Sequence, residues 1–119
     1  MNLLEALSGY GADVPGTMER LMGDVEVYDQ CIHLLLEDPA FSELQNAAAR
    51  GDSKAAFESA HALKGVSANL GLTPLFDAVC AVVEPLRQSE SANIAPQLSR
   101  LNEERQKLAE LMRKVAAGN

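Results

Sequence analysis

The sequence predicts an all-α fold, an antiparallel four-helix bundle preceded by short extra N-terminal helices, and two observations lead to this prediction. Alanine and leucine are abundant, and no segment alternates apolar and polar residues over the length of a strand. Several segments instead repeat apolar residues at helical spacing, and short polar connections join them. Because each such helix has one apolar stripe that it cannot bury alone, a bundle is the simplest arrangement. The 119 residues are expected to form one domain, residues 1–119.

Capping residues and glycines define the helices of the first half of the chain. Asp13, Asp24 and Asp38 each stand where a helix N-cap is due, and a proline follows the first and the third of them within one turn. Glycines at positions 9, 11, 23 and 51 mark helix ends. The predicted helices cover residues 2–8, 14–22, 25–36 and 39–50, and the inner stripe of the last one is Phe41, Leu44 and Ala48.

The next two helices are separated by Gly71. Asp52 is the expected cap of a helix over residues 53–70. Thr73 and the proline after it repeat the cap-then-proline pattern and open the most strongly amphipathic helix, in which Pro85 is expected to cause a kink or an early end. Its apolar stripe consists of Leu72, Leu75, Phe76, Val79, Val82, Val83 and Leu86.

The last helix follows a polar loop predicted over residues 88–92. Asn93 is its expected cap, and apolar residues recur at helical spacing from Ile94 to Val115. Arg105 interrupts this stripe at a position where another apolar residue is due.

Composition excludes several classes of function. A net charge of −7 argues against nucleic acid and anionic membrane surfaces as partners, since no basic stripe is present. No apolar run is long enough to cross a bilayer and the N-terminus does not resemble a signal peptide, so a cytoplasmic protein is expected. Cys31 and Cys80 lie on apolar helix faces, where they are expected to be buried reduced thiols, and their spacing suggests no metal.

The helix over residues 53–70 has an unusual outer face. At about 100° per residue, one side collects the residues that must be buried, which are Ala56, Ala60, Leu63, Ser67 and Leu70. His61 lies on nearly the opposite side and therefore points at water. Gly65 is one turn further along the same face, and Lys64 is within side-chain reach of the imidazole.

These three residue types suit one chemistry. Glycine costs a helix interior about 1 kcal/mol relative to alanine, but it leaves room for a group on the imidazole or for a partner's backbone. Lysine supplies a mobile cation for an anionic group. Histidine is a known covalent nucleophile. His61, Lys64 and Gly65 therefore predict a site that carries a phosphoryl group on the imidazole.

The segment from Ala60 to Gly71 resembles a family signature. Ala60, His61, Leu63, Lys64, Gly65, Leu70 and Gly71 match the pattern A-H-x-L-K-G-x-x-x-x-L-G of histidine-containing phosphotransfer (HPt) domains of two-component phosphorelays. The resemblance implies that receiver domains of response regulators or hybrid sensor kinases are the partners. It implies that Nε2 of His61 attacks an aspartyl phosphate and that Mg²⁺ is held by the receiver, with no cofactor on this chain. A monomer that carries phosphohistidine without its own nucleotide site is expected.

Other residues on or near this face have weaker signals. Phe57, Ala68 and Lys54 share the face of His61 and are candidate contacts for a receiver, although Phe57 could equally fold inward and Lys54 could simply be solvated. His33 lies among acidic residues and is expected to be an ordinary surface histidine.

Two other functions stay open at the sequence level. The chain could be the phosphoacceptor domain of a chemotaxis-type kinase, phosphorylated directly by a catalytic domain that uses ATP. It could also be a helical adaptor for signalling proteins that is never phosphorylated, in which case His61 would be dispensable.

Overall fold

The regular structure of the protein is helical. The computed structural model describes residues 1–88 and 93–118, and within these residues no strand occurs. The helices are α1 (Leu3–Tyr10), α2 (Val14–Arg20), α3 (Val25–Leu36), α4 (Ala40–Ala49), α5 (Ser53–Asn69), α6 (Thr73–Gln88) and α7 (Ala95–Ala116). The predicted all-α bundle with short N-terminal helices is confirmed.

The bundle has four columns. Helices that are neighbours in the chain pack against each other, α4 on α5, α5 on α6 and α6 on α7, and their short connections make them antiparallel. Helices α5, α6 and α7 each form one column, and α3 and α4, placed end to end, form the fourth. The Tyr28 hydroxyl of α3 donates a 2.7 Å hydrogen bond to the Leu70 carbonyl at the end of α5, whereas α4 runs along the first part of that helix.

Arg105 of α7 joins the two segments of this broken column. Its Nη2 and Nε donate to the Leu36 carbonyl at the end of α3, at 2.6 and 3.3 Å. Its guanidinium carbon lies 4.3 Å from the ring centroid of Phe41 in α4, within the range of a cation–π contact. The charged residue that interrupts the apolar stripe of α7 therefore satisfies a helix terminus where the column is broken.

Helix α2 lies across the C-terminal end of α5. The Asp13 N–H donates to the Gly71 carbonyl at 2.8 Å, and Arg20 Nε donates to the Asn69 carbonyl at 3.1 Å. Gly71 has a φ of +63°, and a Cβ there would collide with the Thr17 hydroxyl and lie 2.7 Å from the Asp13 carbonyl oxygen. Glycine is therefore required at this position by the close approach of α2 as well as by the turn.

The core consists of aliphatic side chains with Tyr28 and Phe41. All five residues predicted to form the inner face of α5 are buried. Three expectations of burial need correction. In α4 the buried alanines are Ala40 and Ala47, while Ala48 is half-buried; Phe76 is also half-buried. Cys31 and Cys80 are free thiols, as expected, but they are half-buried because they lie at the edges of their helix faces.

The predicted helix ends are mostly within two residues of the observed ones. Helix α1 continues to Tyr10, because the left-handed C-cap is Gly11 and not Gly9. Thr73 is the first residue of α6 rather than its cap. The same helix runs through Pro85, which removes one backbone donor close to the helix end and so costs a single hydrogen bond.

The connection before α7 is described only in part. Residues 89–92 of the predicted loop 88–92 lie outside the described residues, and Gln88 is the last residue of α6. The N-cap of α7 is Ile94 and not the predicted Asn93, but the Asn93 side chain, one residue earlier, accepts a hydrogen bond from the Ala95 N–H at 3.1 Å. Within the described residues, no helix is both long and apolar enough to span a membrane.

Candidate functional site

The rotation of α5 about its axis determines which of its residues face water. The N-cap of α5 is Asp52, whose carboxylate accepts a 3.1 Å hydrogen bond from the Ala55 N–H. The buried inner face then leaves His61 exposed, together with Lys54, Gly65 and Ala68. Phe57 and Lys64 lie beside them and are half-buried. The six site residues predicted from the sequence therefore form one continuous strip along α5.

Open space surrounds Gly65. A Cβ built on this residue would meet no atom within 4 Å, and its φ is not in the left-handed region. Neither packing nor backbone conformation requires glycine here, although glycine weakens a helix interior by about 1 kcal/mol relative to alanine. Apart from its two chain neighbours, no residue therefore fills the space at Gly65 on the outer face of the helix.

Phe57 covers the other side of the imidazole. The Phe57 and His61 ring centroids are 5.7 Å apart and the ring planes differ by 27°, which is a stacked arrangement. Phe57 also packs against the hydrophobic core. The four-residue spacing places both side chains on one face of the helix, so the sequence is compatible with this contact. Periodicity alone did not decide whether Phe57 contacts His61 or folds inward.

The charges near His61 are suited to an anion. Lys64 lies three residues after His61, and among the described residues its ammonium makes no ion pair with a carboxylate. Lys54 on the same strip is likewise without such a pair in the described part of the chain. A phosphoryl group on the imidazole would therefore have one nearby cation, Lys64, that is not paired with a carboxylate, and one nearby exposed acid, Glu58.

Arg20 supports the site from a distance and was not predicted to do so. Its guanidinium donates to the Asn69 carbonyl at 3.1 Å and lies 3.5 Å from the Ala68 carbonyl, at the C-terminal end of α5. A cation at this end stabilises the helix that carries His61. No sequence signal could identify this contact, because the two residues are 49 positions apart.

The second histidine is in a different environment. Nε2 of His33 lies 3.6 Å from the Asp29 carboxylate on the exposed flank of α3. No group of three or more potential metal ligands occurs among the residues described. His33 is a surface histidine, as predicted.

The comparisons with known proteins identify the family. The family model described as Hpt domain matches residues 26–117, from the first turn of α3 to the end of α7. No curated protein and no solved structure matched the chain significantly. The match covers most of the chain and includes the whole strip around His61, and the protein therefore belongs to the Hpt domain family.

Proposed function

We propose that this protein is a phosphorelay intermediate that accepts a phosphoryl group on His61 from the aspartyl phosphate of one receiver domain and passes it to another. Membership of the Hpt family supports a phosphotransfer role in two-component signalling, with receiver domains as partners. Domains of this family are phosphocarriers rather than enzymes with their own nucleotide site. The observation that carries the proposal is an exposed imidazole next to the open space at Gly65.

The transfer needs one nucleophilic atom from this chain. The lone pair of neutral His61 Nε2 attacks phosphorus, an N–P bond forms, and the bond from phosphorus to the aspartate oxygen breaks. The aspartate leaves as a carboxylate, and the imidazole proton stays on Nδ1. The reverse sequence, with the carboxylate of a second receiver as nucleophile, returns the imidazole to its starting state. Positioning and charge neutralisation therefore matter more than an acid or a base from this chain.

Lys64 and Gly65 have different roles in the proposal. The Lys64 ammonium neutralises part of the charge on the phosphoryl oxygens, an effect that solvent and salt reduce at the protein surface. Gly65 leaves the volume that the phosphoryl group and the receiver backbone occupy. A Mg²⁺ ion on the receiver would supply further neutralisation, and no residue of this chain is assigned to it.

Docking is proposed to use the strip along α5. Ala68 offers a small exposed side chain on one side of His61, and Lys54 lies two turns away on the other. The chain has a net charge of −7, so long-range attraction to an acidic receiver would be weak. The complex is therefore expected to be transient and small in area. We also propose that the protein is a cytoplasmic monomer. Cell fractionation tests its location, and analytical ultracentrifugation tests its oligomeric state.

The decisive experiment is phosphoryl transfer from a labelled receiver. The full chain is incubated with receiver domains carrying ³²P-aspartyl phosphate, and the product is tested for label that is lost in acid and kept in base. Mass spectrometry under neutral conditions should place the phosphate on His61 and not on His33, which is the internal control.

Other outcomes would favour the alternatives. Label that appears only with a chemotaxis-type kinase and ATP, and never with a phosphorylated receiver, would indicate direct phosphorylation of the chain instead of a relay role. Binding to a receiver without any label, and unchanged by His61→Ala, would indicate an adaptor that is not phosphorylated.

A further inference from the structure

We infer that Phe57 is a positioning residue for the transfer reaction, which holds the His61 imidazole in the orientation that receives the phosphoryl group. The inference rests on the proposed function, because it assigns a role relative to the same imidazole. It starts from the stacked contact between the two rings, with centroids 5.7 Å apart and planes at 27°.

Phe57 is itself held in place, which allows it to orient its neighbour. Its side chain is half-buried and packs against the hydrophobic core beneath α5. His61 is exposed, and an exposed side chain on a helix samples several rotamers when nothing restrains it. A ring that is anchored on one side and stacked on the imidazole on the other reduces that freedom before any partner binds.

The direction of the contact suits the reaction. Helical side chains lean toward the N-terminus, so the imidazole leans over the turn that contains Phe57 and away from Gly65. The lone pair of a ring nitrogen lies in the plane of the imidazole, whereas the phenyl ring covers only one of its faces. Stacking therefore fixes the ring plane without blocking the nucleophilic nitrogen, and the open side at Gly65 stays free for the phosphoryl group.

A positioning role and a docking role for Phe57 predict different kinetics. A contact made only with the receiver would raise the receiver concentration needed for half-maximal transfer. A residue that prepares the imidazole would lower the maximal transfer rate and leave that concentration unchanged. Stacked aromatic pairs contribute enough energy for a loss of about three- to tenfold in the maximal rate.

The test compares two variants at this position with one control. Phe57→Leu keeps an apolar side chain for the core but removes the aromatic face, and Phe57→Tyr keeps the ring. Phe76→Leu is the matched control, since Phe76 is also half-buried but lies on α6 outside the strip. Single-turnover transfer is measured over a range of concentrations of a phosphorylated receiver, and circular dichroism checks folding.

The expected result is a three- to tenfold lower maximal rate for Phe57→Leu with an unchanged half-saturating concentration. Phe57→Tyr should restore the rate, and Phe76→Leu should match the unsubstituted protein. An increase in the half-saturating concentration alone, equal rates for all variants, or a failure of tyrosine to rescue would each overturn the positioning role.

A second measurement does not depend on phosphoryl transfer. In the nuclear magnetic resonance spectrum of the free protein, the ring current of Phe57 should displace the imidazole C–H resonances of His61. These resonances should move in Phe57→Leu while those of His33 stay in place. Resonances of His61 that do not move would overturn the inference even if transfer occurs. If no receiver transfers a phosphoryl group to the unsubstituted protein, the proposed function fails on its own and this spectrum still tests the ring contact.

Discussion

The exposed flanks of α3 and α5 each carry one histidine, and their surroundings differ in ways that bear on the proposed phosphotransfer on His61. His33 has Asp29 four residues before it, with 3.6 Å between Nε2 and the carboxylate. His61 has Phe57 at the same spacing, and the two rings stack. A phosphoryl group on His33 would lie beside a carboxylate, whereas His61 is followed one turn later by the open space at Gly65 and, in the proposed transfer, has Lys64 as its cation.

Both histidines are exposed on a helix, so exposure and helical position alone do not distinguish the proposed site. What differs is the neighbour one turn before the histidine and the neighbour one turn after it. Four residues before and after His33 are Asp29 and Glu37, two acids that repel an anion; at the same spacing from His61 are Phe57, which we propose orients the ring, and Gly65, which leaves open space.

Replacing each histidine in turn should distinguish the two flanks completely, because only one of the two substitutions should abolish transfer. His61→Ala removes the nucleophile, and transfer from a phosphorylated receiver should fall to background. His33→Ala should accept label at the rate of the unsubstituted protein. The measurement is the ³²P content of each variant after incubation with one labelled receiver. Equal labelling of both variants would invalidate the distinction.

A substitution in α3 should change stability and not transfer. Tyr28→Phe leaves the Leu70 carbonyl buried without its 2.7 Å donor, so the free energy of unfolding should fall by about 1–3 kcal/mol. Urea denaturation measures this loss, and the transfer rate at a temperature where the variant is folded should be unchanged. A loss of transfer in the folded variant would show that α3 also contributes to the site.

The same variant should change the response to alkali. Burial raises the pKa of Tyr28 above its ordinary value of 10.0, so the folded protein holds the phenolic proton more tightly than the unfolded chain does. The stability from this group is complete below pH 10.0 and is lost as the pH rises toward the folded-state pKa. Urea denaturation at several alkaline pH values should give a flatter decline for Tyr28→Phe. Part of the decline should remain, because burial also raises the pKa of Tyr10.

Two substitutions of Gly65 should have different effects, because one should raise stability and the other should lower the transfer rate. Gly65→Ala should raise the free energy of unfolding by about 0.5–1 kcal/mol, since the new Cβ meets no atom within 4 Å. Gly65→Gln places a longer side chain over the open space and should lower the transfer rate by about tenfold or more, because the reacting groups are displaced. Thermal unfolding and single-turnover transfer of both variants check the two signs. Unchanged transfer in Gly65→Gln would contradict the clearance role.

Removal of the charge at Lys64 should have the smallest effect. Lys64→Gln should slow transfer by about two- to fivefold at low ionic strength, because the attraction at a protein surface is weak. The difference should shrink as salt is added. Lys54→Gln is the matched control and should have less effect, since Lys54 lies two turns from His61. A tenfold loss in Lys64→Gln that salt does not reduce would indicate a role other than charge neutralisation.

Local patterns in the sequence were sufficient for most of the fold and for the orientation of the site. Caps such as Asp24 and Asp52, together with apolar periodicity, predicted the range of α3 and the start of α5 without error. The same periodicity separated the buried inner face of α5 from the outer face with His61. These features are determined over one or two helical turns, which is the range that sequence patterns report.

Only the tertiary structure decided which distant groups complete those helices. Arg105 reaches the end of α3 across 69 positions and Arg20 reaches the end of α5 across 49, and each satisfies carbonyl groups that the helices leave free. Phe57 could have docked a partner or folded inward, and packing against the core placed its ring on His61. A sequence determines which face of a helix is buried, but contacts between helices depend on how those faces pack together, which no local pattern contains.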